Sequence, residues 1–156
     1  MLKKLSLVFT LLSLGIGSAQ AAADFAATSY AMPADILAVK LTQQLTERHF
    51  KVVDNINVLP RIHKGNPQLA AQIPNQIQAE RLLVVCQSRS IVGYLRTEPA
   101  ATSLCPLTLS LVQVNGKTTA YYLPRAQLLA GKTAAQSIGQ EADKGVLEAL
   151  HAVQSK

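Results

Sequence analysis

The sequence predicts an α+β fold: one domain, with a sheet of about four or five strands and helices packed mainly on one face. Three observations predict it. Leu37, Leu41 and Leu45 recur every four residues, the mark of an amphipathic helix. Leu107, Leu109 and Leu111 alternate with Thr108 and Ser110 and lead into Asn115-Gly116, a dipeptide suited to the two positive-φ positions of a hairpin turn. Helical and strand-like stretches interleave around that antiparallel hairpin, and no internal repeat is visible, which is the order of an α+β domain.

Residues 1–21 read as a secretory signal peptide. Lys3 and Lys4 precede an apolar run over residues 5–14, and Ala19-Gln20-Ala21 forms a small-x-small cleavage site, with cleavage expected after Ala21 or Ala23. The apolar run is too short to span a bilayer, which takes about 20 residues. No later stretch is apolar and long enough for a transmembrane helix, so the expected product is an exported, periplasmic domain over residues 24–156 with no integral membrane segment. Such a compartment lets disulfides persist. Loss of Lys3 and Lys4 lowers the formal charge from +6 to +4. The remaining basic residues are scattered and aromatics are few, so nucleic acid is not an expected partner.

Along the chain, residues 26–32 form a first short strand. Helix 33–48 follows, with Pro33 at the first helical position and Asp35 in the first turn, where the helix dipole favours an acid. Phe50, Val52 and Val53, then Ile56 and Val58, predict a strand pair or one strand broken at Asp54-Asn55. Residues 60–78 read as loop with a short helix near 67–72. Residues 81–86 are apolar on both faces, as in a central strand. Helix 88–96 is capped by Ser88 and presents Ile91, Val92 and Leu95. The hairpin spans 106–114 and 117–123, with Val114 opposite Lys117, Leu111 opposite Ala120 and Leu109 opposite Tyr122. Tyr122 then packs against Leu109, and Tyr121 points the other way. Helix 133–153 closes the chain. Ile138, Ala142, Val146, Leu150 and Val153 form its apolar stripe, and Asp143 falls among the polar residues. Gly139 and Gly145 mark close packing or a bend.

Cys86 and Cys105 are the only cysteines, and each bounds an apolar run. If 81–86 and 106–114 are neighbouring strands, the two sulfurs meet at the sheet edge. Three chemistries are open to them. A structural disulfide would close a loop of about 20 residues and stabilise the fold by roughly 3 kcal/mol. A redox-active pair would use Arg89 and the start of the Ser88 helix to favour thiolate on Cys86, with Gln87, Ser88 and Arg89 as neighbouring binding candidates. A metal or haem site would add a histidine to the thiolates, His63 being the candidate; His49 and His151 read as a helix-end and a surface residue. No spacing matches a ligand signature, and no cofactor is expected. Phosphate-binding glycine loops, nucleophile elbows and metalloprotease motifs are absent, so the reading leans away from an enzyme.

The order of these features resembles the domain of unknown function 302 family, over about residues 27–153. The resemblance rests on the leucine-spaced helix followed by HFKVV, on RLLVVCQS, and on LCPLTLSLVQVNGKTTAYYL before the closing helix. Cys86-Gln87 stands where the family tends to have Cys-Asn, and Cys105-Pro106 precedes the hairpin as the family's Pro-Cys or Cys-Pro does. The resemblance implies a compact α+β domain, often a homodimer, with no agreed activity. The expected function is a periplasmic binding or accessory module with a structural disulfide and an unidentified small-molecule or protein ligand. The alternatives are a thiol-disulfide or sulfur-handling protein using Cys86 and Cys105, and a metal or haem binder.

Overall fold

A single antiparallel sheet in the order β1-β5-β4-β3-β2 organises the chain. The computed structural model describes residues 24–154, so the expected signal peptide, residues 1–21, and both cleavage points lie outside the described residues. The elements are β1 (Ala26–Tyr30), α1 (Ala34–Glu47), β2 (Lys51–Asn57), α2 (Val58–Gly65), α3 (Pro67–Ala70), β3 (Ile77–Cys86), α4 (Ser88–Thr97), a 3-10 helix (Pro99–Leu104), β4 (Leu107–Val114), β5 (Lys117–Tyr122), α5 (Arg125–Leu128) and α6 (Thr133–Gln154).

The α+β architecture is as the sequence predicts. Leu37, Leu41 and Leu45 of α1 and Val146, Leu150 and Val153 of α6 pack with Leu83, Val85, Leu107, Leu109, Leu111 and Tyr122 in one core. Alternation along each strand sends the next residues to the opposite face. There Ile56, Leu82, Val84 and Val112 are half-buried and lie outside that core. The hairpin register is the expected one: Val114 faces Lys117, Leu111 faces Ala120 and Leu109 faces Tyr122. Asn115 and Gly116 have φ of 49° and 76°, the pair of positive values that matches the turn to the strand twist.

Several elements differ from expectation. Pro33 is the N-cap of α1 rather than its first helical residue, with extended ψ of 152°, and its carbonyl accepts from Leu37 N at 3.0 Å. The helix ends through His49, whose φ of 63° lets Phe50 N return to the Leu45 carbonyl at 3.0 Å. The break expected at Asp54-Asn55 is a bulge between Val52 and Asp54 within one continuous strand. Residues 58–65, expected as strand end and loop, form α2. Pro60 is tolerated there because amides of a first helical turn have no intrahelical partner. Strand β3 starts at Ile77, four residues earlier than expected, because β4 is long enough to pair with it back to Val114.

Helix α4 is rotated from the predicted face. Ser90 and Tyr94 are buried, while Val92 and Leu95 are 47% and 58% exposed. The cause is close contact with α6: a Cβ on Gly93 would stand 2.8 Å from the Ile138 side chain, so the side of α4 carrying Gly93 lies against α6, with Ser90 and Tyr94 buried. Tyr94, Ala101, Leu129 and Ala135 form a second, smaller core there. The glycines of α6 serve close packing, not a bend. A Cβ on Gly145 would lie 2.8 Å from the Phe50 ring, and one on Gly139 would lie 3.2 Å from the Ala126 backbone.

Candidate functional site

The end of the sheet where β3 and β5 finish and β4 begins gathers the chemistry-bearing residues. Cys86 is the last residue of β3, and Cys105 lies between the 3-10 helix and β4. Val85 is paired with Leu107, so the excursion through α4 and the 3-10 helix returns the chain beside its starting point. The two Sγ atoms are 2.9 Å apart, and both residues are half-buried. Burial, reinforced by Cys105, pushes the Cys86 thiol up to about 11; the Gln87 backbone and the positive charge of Arg125 pull the other way. A protonated Cys86 thiol is thereby favoured over the thiolate that the redox alternative would use.

The residues expected to flank this pair behave differently. Gln87 is 6% exposed and is the N-cap of α4, its side-chain oxygen accepting from the Ser90 hydroxyl at 2.6 Å. Ser88, expected as the cap, is the first helical residue and is exposed, because the helix begins one residue earlier, with Gln87 directly after the strand as its cap. Arg89 reaches Glu141 at 2.6 Å on an exposed surface, and the cation that acts on Cys86 is Arg125. His63 is exposed in the last turn of α2 and does not join the sulfurs. Among the described residues no three of His, Cys, Asp and Glu come together to hold a metal ion. Glu98 pairs with Lys132 and Glu80 approaches Ser110, so these acids and Glu141 have separate partners.

The structure adds a cluster that the sequence reading missed. Asp143 of α6 is 6% exposed, where the sequence placed it on the polar face. Its Oδ1 accepts from the Tyr122 hydroxyl and from Arg125 N at 2.9 Å, and its Oδ2 accepts from Ala126 N at 2.9 Å. The carboxylate thus ties β5, α5 and α6 together and caps the short α5. Burial raises the Tyr122 hydroxyl well above its ordinary value, and the hydrogen bond to Asp143 adds to the shift. Arg125 is 3% exposed and its Nε stands 4.0 Å from Asp143. Its charge and its proximity to the Tyr122 hydroxyl both counter the rise of that group, while its side-chain nitrogens are buried with no hydrogen bond of good geometry among the described residues. The Tyr94 hydroxyl, likewise buried and unpartnered, feels the charges of Arg125, Asp143 and Cys105. Periodicity held a signal for Asp143. It lies four residues after Gly139 and three before Val146, both buried, but its charge suggested solvent.

A groove of about 390 Å³ opens at this end of the sheet. Leu104, Pro106, Leu123 and Leu128 form much of its wall, Tyr121 borders it, and Arg125, 3% exposed, is among its lining residues. Tyr121 is 39% exposed, pointing away from the core as its strand alternation requires.

No family model matches the chain, and no curated protein does. A solved structure does: the crystal structure of an uncharacterized conserved protein, DUF302, from Bacillus stearothermophilus. Its TM-score is 0.69 at 16% identity, over 81% of this chain and 95% of that one. At that identity the likeness is one of fold, and the fold shared is that of a domain of unknown function 302 protein.

Proposed function

We propose that the chain is a small exported binding module whose ligand occupies the groove at the end of the sheet, with Cys86 and Cys105 bridged as a structural disulfide beside it. The observation that carries this reading is the 2.9 Å approach of the two sulfurs where the chain leaves and re-enters the sheet next to the groove wall. A bridge at this point would tie β3 to β4 and hold Leu104 and Pro106 in place. The raised Cys86 thiol favours a structural bridge over thiol exchange, since the thiolate is the attacking species in exchange. Export follows from the signal-like residues 1–21 and is checked by the mass of the processed protein. Pairing of two copies is supported by the half-buried apolar face of Ile56, Leu82, Val84 and Val112, and sedimentation tests it. The deciding experiment for the bridge is thiol counting on the denatured native protein. No free thiol before reduction and two after it are expected. Two free thiols before reduction, in protein recovered from the periplasm, would overturn the bridge.

A further inference from the structure

A second crevice, of about 250 Å³, lies where the start of α4 meets α6 and the end of α1, and it shares no lining residue with the groove. Gln87 lines it while only 6% exposed, so the little surface this side chain keeps is shown there. Its oxygen accepts from the Ser90 hydroxyl at 2.6 Å. Its amide nitrogen donates to none of the described residues and, unlike the Tyr94 hydroxyl, is not sealed from solvent. Gln87 also precedes the first three amides of α4, on Ser88, Arg89 and Ser90, which have no acceptor among the described residues and carry the positive end of the helix dipole. Around the crevice stand three cations, Arg48, Arg89 and Lys144, and two carboxylates, Glu141 and Glu148. Arg89 and Glu141 satisfy each other at 2.6 Å, and Arg48 Nη1 is spent on the carbonyl and side-chain oxygens of Gln44. Lys144 and Glu148 are not spent. They stand 3.9 Å apart, and Glu148 is 3.9 Å from Arg48 Nε, both beyond hydrogen-bond reach.

We infer that this crevice binds inorganic phosphate in a protonated form. The bare oxygens of the ion accept from Gln87 Nε2, from Lys144 Nζ and from the first amides of α4, and its O–H donates to the Glu148 carboxylate. Glu148 decides between tetrahedral anions. Hydrogenphosphate keeps a proton to give, whereas sulfate can only accept and meets repulsion from the carboxylate. A site of cations alone would draw both ions equally. The exposed Arg89–Glu141 pair is worth little by itself, so Arg89 can turn toward the ion at small cost. Because the crevice and the groove have no residue in common, occupancy of one does not depend on the other.

Calorimetric titration of the purified protein with inorganic phosphate near neutral pH, against sulfate at equal ionic strength, tests this. Phosphate is expected to bind at least about fivefold tighter than sulfate. Gln87→Glu keeps the shape of the side chain and the acceptor for Ser90 but replaces the donor with a negative charge, and is expected to weaken phosphate at least about tenfold. Glu148→Gln, at a half-exposed position, is expected to bring sulfate within about twofold of phosphate. Lys144→Gln, on the exposed surface of α6, is expected to weaken both ions about threefold, and Lys64→Gln, exposed on α2, to change neither. If Gln87→Glu does not fold, the two α6 variants decide. Sulfate binding as tightly as phosphate in the unaltered protein would overturn the inference, as would a preference for phosphate that survives Glu148→Gln. No phosphate binding below about 10 mM would overturn it too. An affinity that neither Gln87→Glu nor Lys144→Gln lowers would place the ion elsewhere, and an equal loss in Lys64→Gln would reduce the effect to overall charge; either result removes the site.

Discussion

Asp143 has the largest structural role of any single side chain at the site, because three donors from two elements converge on one carboxylate. Asp143→Ala is expected to destabilise the protein by about 3 kcal/mol or more, since it also leaves the Arg125 charge buried without its ion pair. Urea denaturation followed by circular dichroism measures this, and a loss under about 1 kcal/mol would contradict the role given to the carboxylate. Cys86 makes a prediction in pH. In the reduced protein its thiol titrates at about 11 when folded and at 9.0 as an ordinary thiol. Above pH 9 the unfolded chain gives up this proton first, so stability falls as pH rises from about 9 toward 11. The buried tyrosines act in the same direction only above their ordinary value of 10.0; Tyr30, for example, is pushed up to about 12. The reduced protein is therefore expected to lose melting temperature from about pH 9, and the bridged protein from about pH 10. Coincident profiles would count against a buried, protonated Cys86.

Two helices end or pack in ways that substitution can test. His49 holds a left-handed φ of 63° with an exposed side chain. A Cβ costs roughly 1–2 kcal/mol in that region, so His49→Gly is expected to stabilise the protein by about 1 kcal/mol, read as a rise in denaturation midpoint. In α6, Gly145→Ala gains about 1 kcal/mol of helix propensity. The new Cβ would nevertheless stand 2.8 Å from the ring of Phe50, which is 3% exposed and held in the core. The net effect is expected to be destabilising by about 1–2 kcal/mol, and a more stable variant would show that the ring moves freely. The same close packing explains why α4 was rotated from its predicted face. Apolar spacing chose Ile91, Val92 and Leu95, but the approach of Ile138 to Gly93 decided which side turned inward.

The whole molecule is a sheet with its main core on one face, a smaller core under α4, and the candidate site between the two. Holding that junction shut is the expected effect of the cysteine bridge. Replacing Cys105 by serine is expected to cost roughly 3 kcal/mol for a loop of about 20 residues, with the far-ultraviolet spectrum unchanged. If the oxidised protein and the variant melt together, the bridge is absent or contributes nothing to the fold.

Local signals were enough for much of this architecture. The four-residue leucine spacing of α1, the two-residue alternation of β4 and the Asn-Gly turn each report a backbone conformation that neighbours along the chain already favour, and the hairpin register follows from turn length alone. The meeting of Cys86 with Cys105 was legible for the same reason, since adjacent strands bring their ends together. The partners of Asp143, Arg125 and Tyr94 were not legible. They come from α4, β5, α5 and α6, far apart in sequence, and a charged residue reads as solvent-exposed until packing supplies its counterpart. Folding alone brought an arginine under cover at the end of the sheet, because burial and pairing depend on which elements touch, and periodicity carries no record of that.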